Sequence, residues 1–332
     1  MSGPYWSKAW NPVQGCTPVS PGCAHCWAKA MHERFHPEPF SAVTLHPERL
    51  SIPLRTRKPQ VFFTDMCDPF HPDVPFEFIA AMFGVMAASP RHTFLLLTKR
   101  AERMRTWFEW IHRVPGNAAG TEAMEVQYQA QGYFDKVDDA ETGGTLWPKR
   151  RTLPRAESWP LPNVWLGVTA EDQQRADERI PLLLQTPAAH RWVSLEPLLG
   201  PIDMKLEWLA RRHIDCAGCA PDGSLCDGHW IGQKLNQVIV GGESGPNARP
   251  YDLAWARSVI GQCQDAGVAC FHKQIGARPR ADLLVSDGNR LVEAPHANED
   301  HGRIFGMRSR SGSDPAEWPE DLRIRELAWV LP

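Results

Sequence analysis

Residues 93–98, with the sequence Thr-Phe-Leu-Leu-Leu-Thr, form a short apolar run that is followed at once by Lys99 and Arg100. Similar runs recur along the chain at residues 61–64 (VFFT), 164–168 (VWLGV), 191–195 (RWVSL), 237–240 (QVIV) and 268–272 (VACFH). Continuous apolar runs of this length are typical of parallel strands that are buried on both faces. Helix-like segments separate the runs, which predicts an α/β fold built from βα units.

The number of βα units predicts a partial or complete (β/α) barrel, with a doubly wound parallel sheet as the alternative fold. Residues 114–162 and 207–234 interrupt the alternation of strands and helices, so we predict two insertions there. The barrel is expected to cover residues 1–276, and residues 277–332 to form a C-terminal extension. In a barrel, the polar residues that follow each strand would lie at one end, where active sites form.

The chain has 332 residues and a net charge of −3, from 36 Lys and Arg against 39 Asp and Glu, which argues against a general polyanion-binding protein. Contact with nucleic acid would need a local patch, for which Lys99–Arg105 and Lys149–Arg155 are candidates. No apolar run is long enough to cross a membrane, and the first residues lack the apolar segment of a secretory signal. We therefore expect a cytoplasmic protein, in which two groups of three among the nine cysteines favour metal binding over disulfides.

Three of the cysteines, Cys16, Cys23 and Cys26, have the spacing C-x6-C-x2-C in a segment whose prolines favour a loop. A close pair of thiolates with a third one on a stiff loop is an arrangement typical of metal ligands. One interpretation is a zinc site completed by His25 or His32. The other is a [4Fe–4S] cluster with three protein ligands, whose fourth iron stays open to S-adenosylmethionine. The spacing alone leaves both interpretations open.

A second group, Cys216, Cys219, Cys226 and His229, has the spacing C-x2-C-x6-C-x2-H within the smaller predicted insertion. This segment is rich in Gly and Asp and has few apolar residues, so burial cannot offset the entropy of ordering it. A bound metal would stabilise it, and we favour a structural zinc ion at these four residues. An auxiliary iron–sulfur cluster and a metal-free surface loop are the alternatives.

The first cysteine segment, residues 10–28 (WNPVQGCTPVSPGCAHCWA), resembles the opening motif of a phage-associated family of radical S-adenosylmethionine (radical SAM)-like proteins related to spore photoproduct lyase. Further segments resemble that family in the same order: FFTDMCDPFHPDVP, FLLLTKRAERM, VWLGVTAEDQ, RWVSLEPLLGPID, VIVGGESGPNARP, FHKQIG and the closing DPAEWPEDLRIREL. The resemblance covers residues 5–275 and that tail, without the two insertions. The spacing of the first two cysteines is longer than in the commonest radical SAM motif, and His25 replaces an aromatic residue before the last cysteine.

The resemblance implies a radical SAM-type barrel with a [4Fe–4S] cluster on Cys16, Cys23 and Cys26 and with S-adenosylmethionine as the second cofactor. It implies that strand-end residues bind S-adenosylmethionine: Thr64 and Asp65 near the methionyl amine, Thr169 and Glu171 near the ribose, Glu196 deeper in the site, and Gly241, Gly242 and Ser244 in the GGESGP segment. The catalytic candidates are Cys67 as a hydrogen donor, Lys99 and Lys273 as groups that hold an anionic substrate together with Arg249, and Glu243.

The function expected from the resemblance is a radical SAM lyase, isomerase or transferase that modifies or repairs a nucleobase in DNA or in a nucleotide. It would need an electron donor such as flavodoxin or ferredoxin, and a phage-encoded protein would work in the host cytoplasm. One alternative is a zinc-stabilised, non-catalytic protein that binds nucleic acid. Another is a radical SAM enzyme that acts on a peptide or a small metabolite.

Overall fold

The computed structural model describes residues 4–113, 122–137, 158–210, 212–213, 230–231, 233–245, 247–280, 284–287, 290–293, 309 and 311–330. These residues have an α/β fold with a curled, parallel, seven-stranded sheet that forms a half-barrel. They divide into two compact units, one within Met1–Thr169, Thr186–His190 and Trp329–Pro332, the other within Ala170–Gln185 and Arg191–Ala328. The expected α/β fold is therefore confirmed, and the sheet is compatible with a partial barrel.

The first unit contains most of the N-terminal half of the chain. Its elements are β1 (Lys8–Ala9), β2 (Val13–Gln14), α1 (Trp27–Phe35), β3 (Thr44–Leu45), α2 (Ile52–Arg55), β4 (Val61–Phe63), α3 (Phe76–Ala87), β5 (Thr93–Thr98), α4 (Ala101–Arg113), α5 (Glu122–Val137) and β6 (Val164–Thr169). Strands β1, β4, β5 and β6 pair in parallel in that order. The rings of Phe62 and Phe94, which are register partners in β4 and β5, stack 5.4 Å apart in the core.

Helix α3 is buried on all sides, because residues 78–87 are apolar around the whole helix. One of its neighbours is α5, which lies inside the stretch expected to be an insertion with little helical periodicity. The two helices approach so closely that a Cβ at Gly84 would lie 2.3 Å from the carbonyl oxygen of Val126. Val126 and Ala130 are fully buried in this contact. The described part of residues 114–162 thus contributes a core helix, which sequence patterning missed.

The second unit contains the other strands and helices of the described residues. Its elements are α6 (Gln173–Gln185), β7 (His190–Leu195), α7 (Leu206–Leu209), β8 (Arg212–His213), β9 (Trp230–Ile231), β10 (Gln237–Gly241), β11 (Tyr251–Asp252), α8 (Leu253–Asp265), β12 (Ala269–Gln274), β13 (Pro279–Arg280), β14 (Leu284–Asp287) and β15 (Arg290–Glu293). Strand β10 pairs in parallel with β7 and with β12.

The order of the seven strands in the sheet, β1-β4-β5-β6-β7-β10-β12, follows the order along the chain. A doubly wound sheet reverses direction at a switch point, and no reversal occurs in this order. The alternative fold is therefore not supported. All six apolar runs expected to be strands are strands of this sheet, with ends that differ by at most a few residues.

The C-terminal segment runs beside β12, at the end of this strand order. The backbone N–H of His272 donates to the carbonyl oxygen of Ile324 at 2.8 Å, and that of Glu326 donates to the carbonyl oxygen of Cys270 at 3.0 Å. Phe271 and Arg325 form an antiparallel bridge between these two segments. Two short 3-10 turns, Pro315–Glu317 and Glu320–Leu322, precede the bridge.

None of the described helices has both the length and the apolar character needed to cross a membrane.

Candidate functional site

The first cysteine group lies on a loop of the first unit, which we call the cysteine loop (residues 15–26). It begins at Gly15, whose φ of +95° favours glycine and where a Cβ would lie 2.5 Å from the Ala42 carbonyl oxygen. The backbone N–H of Cys16 donates to the Phe40 carbonyl oxygen at 2.8 Å. Cys23 ends a 3-10 turn, and Cys26 is the residue that precedes α1. The start of the loop is thus fixed by the backbone.

The thiols of Cys16, Cys23 and Cys26 are free and partly exposed to solvent. Burial raises the pKa of the Cys16 thiol, the Asp68 carboxylate raises it further, and Arg100 opposes both effects. Among the described residues, no group of three or more His, Cys, Asp or Glu side chains is arranged to hold a metal ion. The three thiols share one short loop, so cluster binding would require this loop to gather them.

Arg100 is the second residue after the end of β5. Its guanidinium binds the start of the cysteine loop. One nitrogen, Nη1, donates to the Cys16 Sγ at 3.5 Å and to the Asp68 Oδ2 at 2.8 Å. The other, Nη2, donates to the carbonyl oxygen of Thr17 at 2.9 Å and to its hydroxyl at 3.1 Å. A planar guanidinium with several fixed donors suits this set of acceptors. Arg100 therefore places a positive charge against the sulfur of Cys16.

The Asp68 carboxylate holds this guanidinium and is itself 5% exposed. Its Oδ1 accepts from the Thr98 hydroxyl at 2.7 Å and from the Phe70 backbone N–H at 3.0 Å. Its Oδ2 accepts from the Lys99 backbone N–H at 3.1 Å, in addition to Arg100. The carboxylate thus connects the ends of β4 and β5 with the cysteine loop.

Two buried polar atoms at the carboxyl end of β4 have no hydrogen-bond partner among the described residues: the Thr64 Oγ1 and the Asp65 Oδ2. The other carboxylate oxygen of Asp65 accepts from the Asn11 side-chain amide at 2.7 Å. Burial raises the pKa of the Asp65 carboxyl, and the bond from Asn11 opposes that shift. Because an unsatisfied buried oxygen is costly, these two atoms mark a place where a ligand could donate hydrogen bonds.

Cys67 follows these two residues and connects the end of β4 to the cysteine loop. It forms a parallel bridge with Gly15, whose backbone N–H donates to the Met66 carbonyl oxygen at 3.3 Å. Burial raises the pKa of the Cys67 thiol well above its usual value, and the nearby carboxylates act in the same direction. The side chain therefore remains a thiol at neutral pH, a form that can give up a hydrogen atom.

A separate group of charged residues lies at the carboxyl ends of β7, β10 and β12 in the second unit. The Lys273 ammonium lies 3.0 Å from the Glu196 Oε1, and the Ser194 hydroxyl donates to the Glu196 Oε2 at 3.2 Å. A Cβ at Gly241 would come within 2.8 Å of the Glu196 Oε1. The absence of a side chain at Gly241 therefore leaves room for the Glu196 carboxylate.

Glu243 of the GGESGP segment binds Arg249, which follows this segment in the chain. The Arg249 side chain forms an ion pair with Glu243, and the Arg249 backbone N–H donates to the Glu243 Oε2 at 2.7 Å. A Cβ at Gly242 would lie 2.9 Å from the Tyr251 ring, so the close packing of this ring favours glycine here. Ser244 is exposed. Glu243 and Arg249 are therefore bound to each other, although the sequence placed them in two roles.

Glu171 is fully buried, and its carboxylate lies 3.1 Å from the Arg179 guanidinium of α6. The carbonyl oxygen of Glu171 also accepts from the Leu199 backbone N–H at 2.7 Å. Thr169, the last residue of β6, is buried as well. The pair of Glu171 with Arg179 anchors α6 within the second unit.

A family model described as "Protein of unknown function (DUF5131)" matches residues 4–309 of the chain. The chain belongs to the DUF5131 family. A comparison with curated proteins finds no match, and a comparison with solved structures finds none either.

In this DUF5131 chain the sequence-predicted residues fall into two groups. The first unit brings Cys16 close to Cys67 and Asp65, next to Thr64, and Asp68 of the same region binds the backbone N–H of Lys99. The second unit brings Glu196 together with Gly241 and Lys273, and Glu243 with Arg249. The predicted zinc ligands Cys216, Cys219, Cys226 and His229 lie outside the described residues.

Sequence reasoning gave no role to three residues that organise the cysteine loop: Asn11, Asp68 and Arg100. Asp68 and Arg100 follow two of the predicted strands, and the structure places them after β4 and β5. The sequence did not indicate which residues they bind. Asn11 lies four residues before the start of the loop, and its side-chain oxygen accepts from the backbone N–H groups of both Asp65 and Met66. An asparagine in a loop is an ordinary turn residue, and this gave no signal of a contact with a strand end so distant in sequence.

Proposed function

We propose that the chain is a radical SAM enzyme that holds a [4Fe–4S] cluster on Cys16, Cys23 and Cys26. The observation that supports this most strongly is the pair of buried, unpartnered oxygens of Thr64 and Asp65 beside the cysteine loop. An ammonium group is a suitable donor for a buried carboxylate oxygen, and S-adenosylmethionine carries one. The free, partly exposed thiols and the adjacent Arg100 suit an anionic metal–thiolate group.

Each residue would have a defined part in such a site. When bound, the cluster would supply the electron that cleaves S-adenosylmethionine and yields a 5′-deoxyadenosyl radical. Asp65 and Thr64 would orient the amino group of S-adenosylmethionine, and Arg100 would hold the Cys16 end of the loop. The protonated thiol of Cys67 would donate a hydrogen atom to a radical intermediate of the substrate, and one electron from a flavodoxin or ferredoxin with one proton would return the resulting thiyl radical to a thiol.

The proposed substrate is a nucleobase in DNA or in a nucleotide, and the proposed reductant is a flavodoxin or a ferredoxin. Lys99, which follows β5 in the same unit as the cysteine loop, is the cation proposed to hold an anionic group of this substrate. A second metal, zinc, is proposed for the Cys216 group.

The decisive experiment is anaerobic reconstitution with iron and sulfide, followed by absorbance and EPR spectra before and after dithionite. The wild-type protein is expected to be brown, to show an EPR signal that changes with S-adenosylmethionine, and to release 5′-deoxyadenosine. Cys16→Ala, Cys23→Ala and Cys26→Ala should each lose the cluster. Cys263→Ala, which removes a buried cysteine of the second unit, should keep it.

A colourless protein that binds only zinc would exclude the radical mechanism and favour the zinc-stabilised binding protein. Retention of a full cluster in all three cysteine variants would exclude these ligands even in an iron–sulfur protein.

Replacing Asp65 with asparagine should weaken the binding of S-adenosylmethionine to the reconstituted protein by about 10- to 100-fold, the effect of losing a charge-assisted hydrogen bond. The amide would still accept from Asn11, but it would present an N–H group or an uncharged oxygen where the ammonium binds. Equilibrium dialysis with labelled S-adenosylmethionine measures the change, and iron content should be unaffected.

The matched control is Asp73→Asn, the same chemical change at an exposed carboxylate of the same unit. Its affinity should equal that of the wild type. Equal affinity in Asp65→Asn as well would show that the unpartnered oxygen does not contact the cofactor.

A further inference from the structure

A second surface of the first unit is strongly basic and is not part of the proposed cofactor site. It is formed where the chain enters β4 and β5, and we call it the basic patch: Lys8, Arg55, Arg57, Lys58 and Arg91. All of these side chains are exposed except Lys8, which is partly exposed. The patch lies at the amino ends of these strands, whereas the cysteine loop adjoins Cys67 and Arg100 beyond their carboxyl ends.

The patch is organised around the backbone of residues 53–56. The Arg91 guanidinium donates to the carbonyl oxygen of Thr56 at 2.8 Å and to that of Leu54 at 3.1 Å. The Lys8 ammonium donates to the Thr56 hydroxyl at 3.4 Å. These contacts hold Arg91 and Lys8 beside the segment that carries Arg55, Arg57 and Lys58. The five cationic residues thereby lie close to one another in the structure.

None of the five cations forms an ion pair with a carboxylate in the described part of the chain. The buried ring of His92 lies close enough to the patch for its pKa to respond to the excess of positive charge. Burial lowers the pKa of His92, and Arg91 and Lys8 lower it further, with no carboxylate among the contributing groups. Within the described residues, the side chains of Arg57 and Lys58 form no hydrogen bond, ion pair or ring contact. Their charges are therefore available to a partner.

The stretch Lys99–Arg105, which the sequence indicated as a candidate for nucleic-acid contact, is different. Arg100 is paired with Asp68 in the interior, and the Arg103 guanidinium lies over the Phe76 ring and donates to the Val74 carbonyl oxygen. Arg105 faces Glu109 on the same helix. These arginines bind the protein itself, so a basic run in the sequence is not by itself a basic surface.

We infer that the basic patch binds the phosphate backbone of a nucleic acid. Unpaired guanidinium and ammonium groups on one surface match a series of phosphates, and the fork of an arginine can bind two phosphate oxygens at once. In a chain whose net charge is −3, such a concentration of unpaired cations would give local attraction to a polyanion. Contacts with phosphates position a nucleic acid without reading its sequence. The patch is thus a docking surface, independent of the iron–sulfur chemistry proposed above.

The test is the binding of fluorescein-labelled 20-nucleotide DNA and RNA of equal sequence, single-stranded and duplex, followed by fluorescence anisotropy at several NaCl concentrations. The variant is Arg57→Gln/Lys58→Gln, which removes two charges whose side chains form no hydrogen bond or ion pair within the described residues. The control is Lys234→Gln/Arg280→Gln, which makes the same change in net charge in the second unit. Thermal unfolding of all three proteins confirms that folding is equal.

The wild type should bind at least one of these nucleic acids, with an affinity that falls steeply as salt rises. Loss of two phosphate contacts should weaken binding about 30-fold at about 0.15 M salt and reduce the slope of log affinity against log salt by about 2. The control should bind as the wild type does, and the iron content of reconstituted protein should be the same in all three.

The inference is overturned if the wild type binds none of the probes, or if Arg57→Gln/Lys58→Gln binds them as tightly as the control does. It is also overturned if polyglutamate of equal charge binds the wild type as tightly as the nucleic acids, which would indicate a surface for an acidic protein. Absence of an iron–sulfur cluster would overturn the proposed function and leave this binding result unchanged.

Discussion

Replacing Asp68 with alanine is expected to lower the free energy of unfolding by about 3–5 kcal/mol, the cost of removing one partner from a buried ion pair. The Arg100 guanidinium would remain buried beside the cysteine loop with its charge uncompensated. The Thr98 hydroxyl and the backbone N–H of Lys99 would also lose their acceptor. Urea unfolding, followed by tryptophan fluorescence, gives the change in midpoint and slope.

Asp73→Ala is the matched control, because this carboxylate lies close in sequence but is 67% exposed and lies 3.6 Å from the His71 ring. An exposed pair of this kind contributes at most about 1 kcal/mol. If Asp68→Ala were no less stable than Asp73→Ala, the Asp68–Arg100 pair would not be a structural connection. Arg100→Lys, which keeps the charge and loses the fork, should fall between the two.

Acidification should destabilise the second unit through His272 by about 3 kcal/mol between pH 6.5 and pH 4. Burial, together with the charge of Arg325, lowers the pKa of His272 to about 4, and the Leu322 carbonyl and Asp321 oppose the shift. The Nδ1–H donates to the Leu322 carbonyl oxygen at 2.8 Å, so Nε2 is the acceptor of the Tyr251 hydroxyl at 2.9 Å. A proton on Nε2 would break that arrangement.

The direction of this pH effect follows from the protonation of His272 in the folded and in the unfolded chain. Above pH 6.5 the ring is neutral in the folded and the unfolded chain, and its contribution is complete. As the pH falls from 6.5 to 4, the unfolded chain binds a proton that the folded chain does not, and stability is lost. Below pH 4 both states are protonated, and the loss is complete.

The comparison needed is with His272→Asn, measured by urea unfolding at several pH values between 4 and 7. The asparagine amide keeps a donor for the Leu322 carbonyl and has no proton to gain in this range. The difference in unfolding free energy between wild type and variant should shrink by about 3 kcal/mol from pH 6.5 to pH 4. A difference that stays constant with pH would mean that His272 does not titrate between these values.

The fold could be predicted from sequence where the signal was local and apolar. The six apolar runs became strands because a parallel sheet covered on both faces needs continuous apolar residues. Helix α5 was missed because its neighbour α3 is apolar on all sides, and therefore α5 needs only a few apolar residues, such as Val126 and Ala130, to pack against it. The two-residue strands β1 and β2 were missed because they are too short to show a period.

The positions of residues at the strand ends could be predicted from the sequence, but the contacts between them could not. Strand ends indicated Asp65 and Lys99, because parallel strands place their carboxyl ends at one edge. The bond between Arg100 and Cys16 joins residues 84 positions apart, and no sequence period encodes such a contact. The basic patch was missed for the same reason, because it combines the segment 55–58 with Lys8 and Arg91.

The course of residues 324–326 beside β12 has a consequence for how the protein meets other molecules. The outer backbone groups of an edge strand are a template on which a strand of another molecule can add, and this is a route to aggregation. Here the carbonyl oxygen of Cys270 and the N–H of His272 already have partners within the chain. Residues 324–326 thus occupy the edge of β12, which opposes the addition of a strand from another molecule.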